Sequence, residues 1–216
     1  MRILLHHAAL PRSLDAAVEA CWRAALPPAR RERVDRLRQA EDRLATLAGL
    51  ALLQDCARAA GRVPPALGAL AWLASGKPVW PDGPDFSISH AAGRVGCALA
   101  PPGMRVGLDL EGCGAARAAE LRRVLPADEW ARACESGLDA TALWVAREAV
   151  LKAAGSTIAA AAAVAMSADH AVFAGVRWRL LRPTLTASHV AAGAVDRDST
   201  LDIASRDVEA LLAAGP

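Results

Sequence analysis

The stretch DFSISHAAGRVGCALAPPGMRVGLDLE, residues 85–111, decides the fold class. It divides into three short runs, Asp85 to His90, Val95 to Leu99 and Arg105 to Glu111. Each alternates or clusters apolar residues as a strand requires, and Gly-Arg and Pro-Pro-Gly turns separate them. Side chains of an extended strand alternate between faces, so Asp109 and Glu111 point the same way, roughly 6–7 Å apart along the chain. Leu108 and Leu110 take the opposite face, which leaves one side of this strand apolar and the other acidic.

On the N-terminal side, the pattern predicts a strand near Arg2 to His6 and a helix from Ser13, as N-cap, to about Leu26, broken by Pro27 and Pro28. A long helix is expected from about Arg30 to Ala60, with Leu37, Leu44, Leu47, Ala48, Ala51 and Leu52 at helical spacing and Gly61 as its stop. On the C-terminal side, helices are expected over 115–125, 126–135 and 139–154. Strands follow over 177–181, 188–194 and 200–204, then a last helix over 206–213. The theme of helices followed by strands thus appears in both parts of the chain, with no sequence repeat between them.

The helix over 139–154 carries Trp144, Glu148 and Lys152 at i, i+4 and i+8, on one face. A third carboxylate could therefore meet the pair on the acidic strand, with an ammonium one turn further on. Three oxygen donors without cysteine or paired histidines suit a hard cation that keeps some of its waters, Mg²⁺ above all. Taken singly, the same residues also read as a solvated strand face and a surface ion pair of about 0.2–0.5 kcal/mol.

Composition bounds the function classes. The chain has 216 residues, 25 basic against 23 acidic, for a net charge of +2. That balance, with no polybasic tail, gives no support to nucleic acid as the main partner. Hydrophobic residues make up 54%, but much of this is alanine, and no run approaches the ~20 strongly apolar residues of a membrane span. Cys21, Cys56, Cys97, Cys113 and Cys134 are odd in number and never spaced Cys-x-x-Cys, which argues against a disulfide framework and a zinc site. With a first strand starting at once and no signal-peptide pattern, the expectation is a reduced, cytoplasmic protein.

Three motifs in fixed order, Phe86-Ser87-Ile88-Ser89-His90, Gly107-Leu108-Asp109-Leu110-Glu111 and Trp144 to Gly155, with Gly76-Lys77-Pro78 ahead of them, resemble those of the 4′-phosphopantetheinyl transferase superfamily. The resemblance is to its larger, monomeric branch, which activates carrier proteins of polyketide, peptide or siderophore synthesis. It runs from about Arg30 to Gly155.

This resemblance implies two related α+β halves, 1–106 and 107–216, with a pseudo-twofold relation and coenzyme A in their cleft. It implies transfer of the phosphopantetheine arm of coenzyme A to a serine of an apo acyl or peptidyl carrier protein, releasing 3′,5′-ADP. Asp109, Glu111 and Glu148 match the ligands of Mg²⁺, with Mn²⁺ as an alternative. Glu148 is also the candidate base, and Lys152 matches the lysine on the pyrophosphate. Lys77 matches a contact to the nucleotide end of coenzyme A, Ser89 and His90 contacts to its phosphates, and Arg30 and Arg43 contacts to the 3′-phosphate; Asp109 belongs with this coenzyme set as well. Four departures bear on affinity and loop shape: Ala45 replaces a second arginine, Ala91 a frequent serine, Arg147 the lysine before the glutamate, and Ser156 a second glycine. Two other classes stand beside the transferase: a non-catalytic carrier-protein binding module, and a Mg²⁺-dependent phosphoester or pyrophosphate hydrolase.

Overall fold

The computed structural model describes residues 1–114, 131 and 140–216. The helices expected over 115–125 and 126–135 therefore lie outside the described residues, apart from Ala131, which is helical. The rest is a mixed α+β structure built on two main sheets.

The first sheet has four strands, β1 (Arg2–Ala9), β4 (Phe86–Ala91), β5 (Arg94–Leu99) and β11 (Thr200–Ser205), in the order β11-β1-β5-β4. β1 runs parallel to β11 and antiparallel to β5. β4 and β5 join through a two-residue turn, Ala92 and Gly93, both at positive φ (47° and 74°). That is the geometry whose twist matches a tight hairpin. The second sheet holds β6 (Val106–Gly112), β7 (Ala165–Met166), β8 (His170–Phe173), β9 (Val176–Leu181) and β10 (His189–Val195), in the order β6-β10-β9-β8-β7. A small hairpin, β2 (Ala71–Trp72) with β3 (Pro78–Val79), presents the Gly76-Lys77 turn.

Each sheet is covered by one long helix. α3 (Ala40–Ala59) packs Leu44, Leu47, Ala48 and Leu52 on the first sheet, in a core shared with Leu4, Phe86, Val95 and Cys97. α1 (Ala16–Ala24), α2 (Pro28–Asp35) and α5 (Val208–Ala213) complete that side through Trp22, Val34 and Leu212. α4 (Ala140–Ala153) packs Val145, Ala146, Ala149 and Val150 against Trp178 and Ala192 of the second sheet. A third core joins the inner faces of the sheets, Ile3, Leu5 and Ala98 from one and Val106, Leu108, Leu181 and Val195 from the other. The layers run helix, sheet, sheet, helix.

The expected strands and the last helices are found within a few residues of their sequence positions, and three features differ. The single helix expected over 30–60 is two, because the chain turns extended at Gln39 and Arg43 Nη1 donates to the Leu37 carbonyl at the bend. Asp15, not Ser13, caps α1, accepting from the Ala17 and Val18 amides at 2.8 and 3.2 Å. β7 and β8 add to the second sheet. β6 begins at Val106, and β11 and α5, late in the chain, belong with the first sheet. No helix among the described residues is long and apolar enough to cross a membrane.

Candidate functional site

Gly107 lets β6 meet α4 directly. A Cβ there would collide with the backbone of Ala149 and Ala153, so only glycine allows the strand to lie this close to the helix. Asp109 and Glu111, two and four residues on, share that face. Asp109 is buried, and Glu111 and Glu148 are half-buried. Lys152 donates from Nζ to Asp109 Oδ1 at 2.6 Å and to Ser89 Oγ at 3.0 Å. Ser89, reaching across from β4, donates to the same Oδ1 at 2.8 Å and accepts the Leu110 amide at 3.3 Å. Three of the sequence-derived residues, from two sheets and one helix, thus share one buried oxygen.

The other oxygen is different. Asp109 Oδ2 is buried and has no hydrogen-bond partner among the described residues. A buried carboxylate oxygen left in this state costs free energy unless a ligand completes it. The oxygen-only donor set at this strand and helix fits a hard cation. Among the described residues, however, no three His, Cys, Asp or Glu side chains gather into a metal-holding set, so Asp109, Glu111 and Glu148 do not form a closed site by themselves. A cation there would need waters or ligand oxygens to complete it.

Beside this cluster lies a cationic pocket. His90, next to Ser89, is exposed at the end of β4 and lines two adjoining hollows of about 170 and 150 Å³ together with Arg30 and Thr46. Arg33 and Asp42 wall the first and Trp72 and Gly76 the second. Arg30 lies 5.1 Å from the centre of the Trp72 ring, a cation–π contact that fixes its guanidinium. Burial, helped by Arg33, holds the Arg30 guanidinium below its ordinary pKa. The pocket walls partly desolvate His90 although its side chain reaches solvent, which lowers it, and the Lys152 ammonium lowers it further, against the pull of Asp42, Glu41 and Asp109. A larger hollow of about 410 Å³, near Leu10 and Leu44, sets the carboxylates of Glu19 and Glu41 against Arg12, a poorer receptor for a polyanion.

Neither a protein-family model nor a curated protein matches this chain.

Arg43 and Lys77, both read from sequence as coenzyme contacts, have other partners. Arg43 is tied to the Leu37 carbonyl at 2.9 Å and to Glu19 at 3.4 Å, and does not line the hollows about Arg30. Lys77 is only 8% exposed and grips Asp85 at 2.8 Å and the Val106 carbonyl at 3.2 Å. Asp85 Oδ2 also accepts the Val106 amide at 2.9 Å, so the Gly76-Lys77 turn is fastened to the first residue of β6. Thr46 and Trp72 of the pocket are not among the sequence-derived candidates, and Arg33 is one of the arginines over 30–43 able to reach a phosphate, of which Arg30 and Arg43 are singled out. Arg33 had a signal: it follows Arg30 by three residues and shares its helix face. Trp144 and Arg147 are buried.

Proposed function

We propose that this protein is a 4′-phosphopantetheinyl transferase that moves the phosphopantetheine arm of coenzyme A onto a serine of an apo carrier protein. The observation that carries the reading is the contact of two unlike sites. Asp109, a carboxylate with one buried oxygen that has no partner among the described residues, binds Ser89 and Lys152 within one residue of a pocket walled by Arg30, Arg33 and His90. Coenzyme A has that combination of charges, a nucleotide phosphate at one end and a reactive pyrophosphate further along.

The residues divide the work. Arg30, Arg33 and His90 hold the nucleotide phosphate, and Thr46 and Trp72 border it. Ser89 and Lys152 face the pyrophosphate, and Lys152, 31% exposed, can turn from Asp109 to the leaving phosphate as charge builds on it. Glu148, one turn before Lys152 on the same face of α4, accepts the proton of the carrier serine. The serine oxygen bonds to the phosphorus of the arm, the pyrophosphate P–O bond breaks, and 3′,5′-ADP leaves. Mg²⁺, held by Asp109 with Glu111 and Glu148, supplies neutralisation of the pyrophosphate when bound.

In this reading the two helix-covered sheets are related halves of one fold, with α3 and α4 in equivalent positions and coenzyme A lying across the seam where β4 meets β6. The chain acts as a monomer on an acyl or peptidyl carrier protein. The test is intact-mass measurement of apo carrier proteins after incubation with the protein, coenzyme A and Mg²⁺. A mass gain of one phosphopantetheine group on the carrier serine supports it. Coenzyme A consumed equally without a carrier would instead identify a hydrolase, and binding of carriers without mass gain a non-catalytic module.

A further inference from the structure

The outer edges of the two main sheets are protected to different degrees. β4 and β6 meet at the seam, where Ser87 Oγ donates to the Leu108 carbonyl at 3.4 Å and Ser89 takes the Leu110 amide at 3.3 Å. The far edge of the second sheet is β7, only two residues long. The far edge of the first sheet is β11, six residues long. Folded proteins blunt a long edge with lysine, proline, a bulge or a covering segment. β11 contains neither lysine nor proline, keeps an unbroken register with β1 from Thr200 to Ser205, and pairs with no further strand among the described residues.

The ladder fixes which groups of this edge look outward. The Thr200 and Arg206 amides donate inward, to the Met1 and His7 carbonyls at 2.9 and 2.8 Å. The N–H and C=O of one strand residue point to the same side and alternate along the strand, so Leu201, Ile203 and Ser205 aim theirs away from β1. Register places the side chains of these three on the face of Ile3 and Leu5, and those of Thr200, Asp202 and Ala204 on the helix-covered face. Ile203 is 40% exposed although Leu5, its partner in register, is buried.

We propose that two copies of this chain pair through β11, antiparallel and edge to edge about a twofold axis at Ile203. Their first sheets then join into one of eight strands, four from each copy. An axis at Ile203 uses all three outward-facing residues. Ile203 meets Ile203 of the second copy and Leu201 meets Ser205, each pair exchanging two N–H···O=C bonds. Moving the axis by one residue leaves out Ser205 or Leu201, and an axis at Asp202 sets two carboxylates face to face. With the axis at Ile203, Asp202 instead faces Ala204 and stands diagonal to Arg206 of the second copy, an opposite charge on the same face and within reach of a long side chain. The exposed Ile203 side chains cover one another. β4, with Ser89 and His90, lies at the opposite edge of the sheet, so each copy keeps its own site whole and remains the unit that reacts.

Sedimentation equilibrium of the full chain over a concentration series tests this, with neither coenzyme A nor metal present. The mass should rise from the 22.4 kDa of one chain toward twice that value, because a single pair of edge strands makes a small interface that exchanges with free chain. Ile203→Lys sets two ammonium groups at the axis and should hold the mass at one chain, with the far-UV spectrum and thermal midpoint of the dilute parent. Ile203→Cys tests the register independently. A hydrogen-bonded antiparallel pair holds its Cα atoms about 5.5 Å apart, within the span of a disulfide. Mild oxidation should therefore link position 203 of one copy to position 203 of the other, read by peptide mass, several-fold faster than exposed Cys21 or Cys113 links copies of the parent. The proposal is overturned if the parent keeps the mass of one chain up to about 1 mM, if Ile203→Lys associates as the parent does, or if position 203 cross-links no faster than Cys21.

Discussion

Two lysine–aspartate pairs, Lys77 with Asp85 and Lys152 with Asp109, have nearly the same contact distance, 2.8 and 2.6 Å, and differ in everything around it. In the first pair Asp85 also takes the Val106 amide, and Lys77 also donates to the Val106 carbonyl. Lys77 is almost wholly enclosed. In the second, one oxygen of Asp109 accepts from two side chains, Ser89 and Lys152, the other has no partner among the described residues, and Lys152 remains about a third exposed. The first pair is complete and holds the start of β6 in place; the second is incomplete in a way that a ligand can finish. An ion pair is therefore read by what its remaining lone pairs and protons find, rather than by its distance.

The widest separation between the two is expected from removing the carboxylates. Asp109→Asn keeps the shape but takes away the charge shared by Lys152 and Ser89, and should cut phosphopantetheine transfer by roughly 10²-fold or more. Its far-UV spectrum and thermal midpoint should stay close to those of the parent, because Lys152 can swing to water. Unchanged turnover at limiting Mg²⁺ would show that the incomplete pair is only structural.

Lys77→Met should act in the opposite sense. Burial pushes the Lys77 ammonium down in pKa and Asp85 pulls it back, so the charged lysine is kept by its partner. Losing it strands a partly buried carboxylate, at about 2 kcal/mol once the access of Asp85 to water is allowed for. Denaturant unfolding should register that loss, while the fraction still folded transfers within a few-fold of the parent rate. A normal unfolding midpoint with a collapsed affinity for coenzyme A would return Lys77 to the ligand-binding set.

Arg33→Ala should weaken coenzyme A by on the order of tenfold, about 1.4 kcal/mol, without lowering kcat. Arg43→Ala should have a smaller effect, since Arg43 is already engaged with Leu37 and Glu19. Titration of coenzyme A against both variants checks the order, and a larger loss at Arg43 would reverse the assignment.

The smallest effect concerns His90. Its folded pKa lies below the ordinary 6.5, so protonating it costs stability as the pH falls through and below that value, and the free protein carries it neutral at pH 7. A bound polyanion favours the charged ring. The affinity for coenzyme A should therefore rise as the pH drops from neutral through 6.5, beyond what ionisation of the ligand gives, and His90→Gln should remove that excess. Identical pH profiles for parent and variant would take His90 out of the phosphate contacts.

What was legible in the sequence follows the range of the interactions. Alternation and turn glycines mark β4, β5 and β6, because a strand's faces and a two-residue turn are local facts. The face shared by Asp109 and Glu111 and the row of Glu148 and Lys152 are equally local. The break between α2 and α3 was hidden, because its arginine-rich residues contain no proline or glycine and the bend is fixed by Arg43 reaching back to Leu37. The partners of Lys77 and Arg43 were hidden for the same reason: Asp85, Val106 and Glu19 are brought to them by packing. Arg33 is an exposed helix residue, as its sequence context suggests, and only packing sets it at the rim of the hollow lined by Arg30 and His90.

The most direct test sets three proteins side by side, the parent, Asp109→Asn and Lys77→Met, each with coenzyme A, Mg²⁺ and an apo carrier protein, and reads the carrier by intact mass. The parent and the folded fraction of Lys77→Met should add one phosphopantetheine group to the carrier serine, and Asp109→Asn should leave the carrier apo. A carrier modified as readily by Asp109→Asn as by the parent, or by none of the three across a panel of apo carriers, would contradict the account.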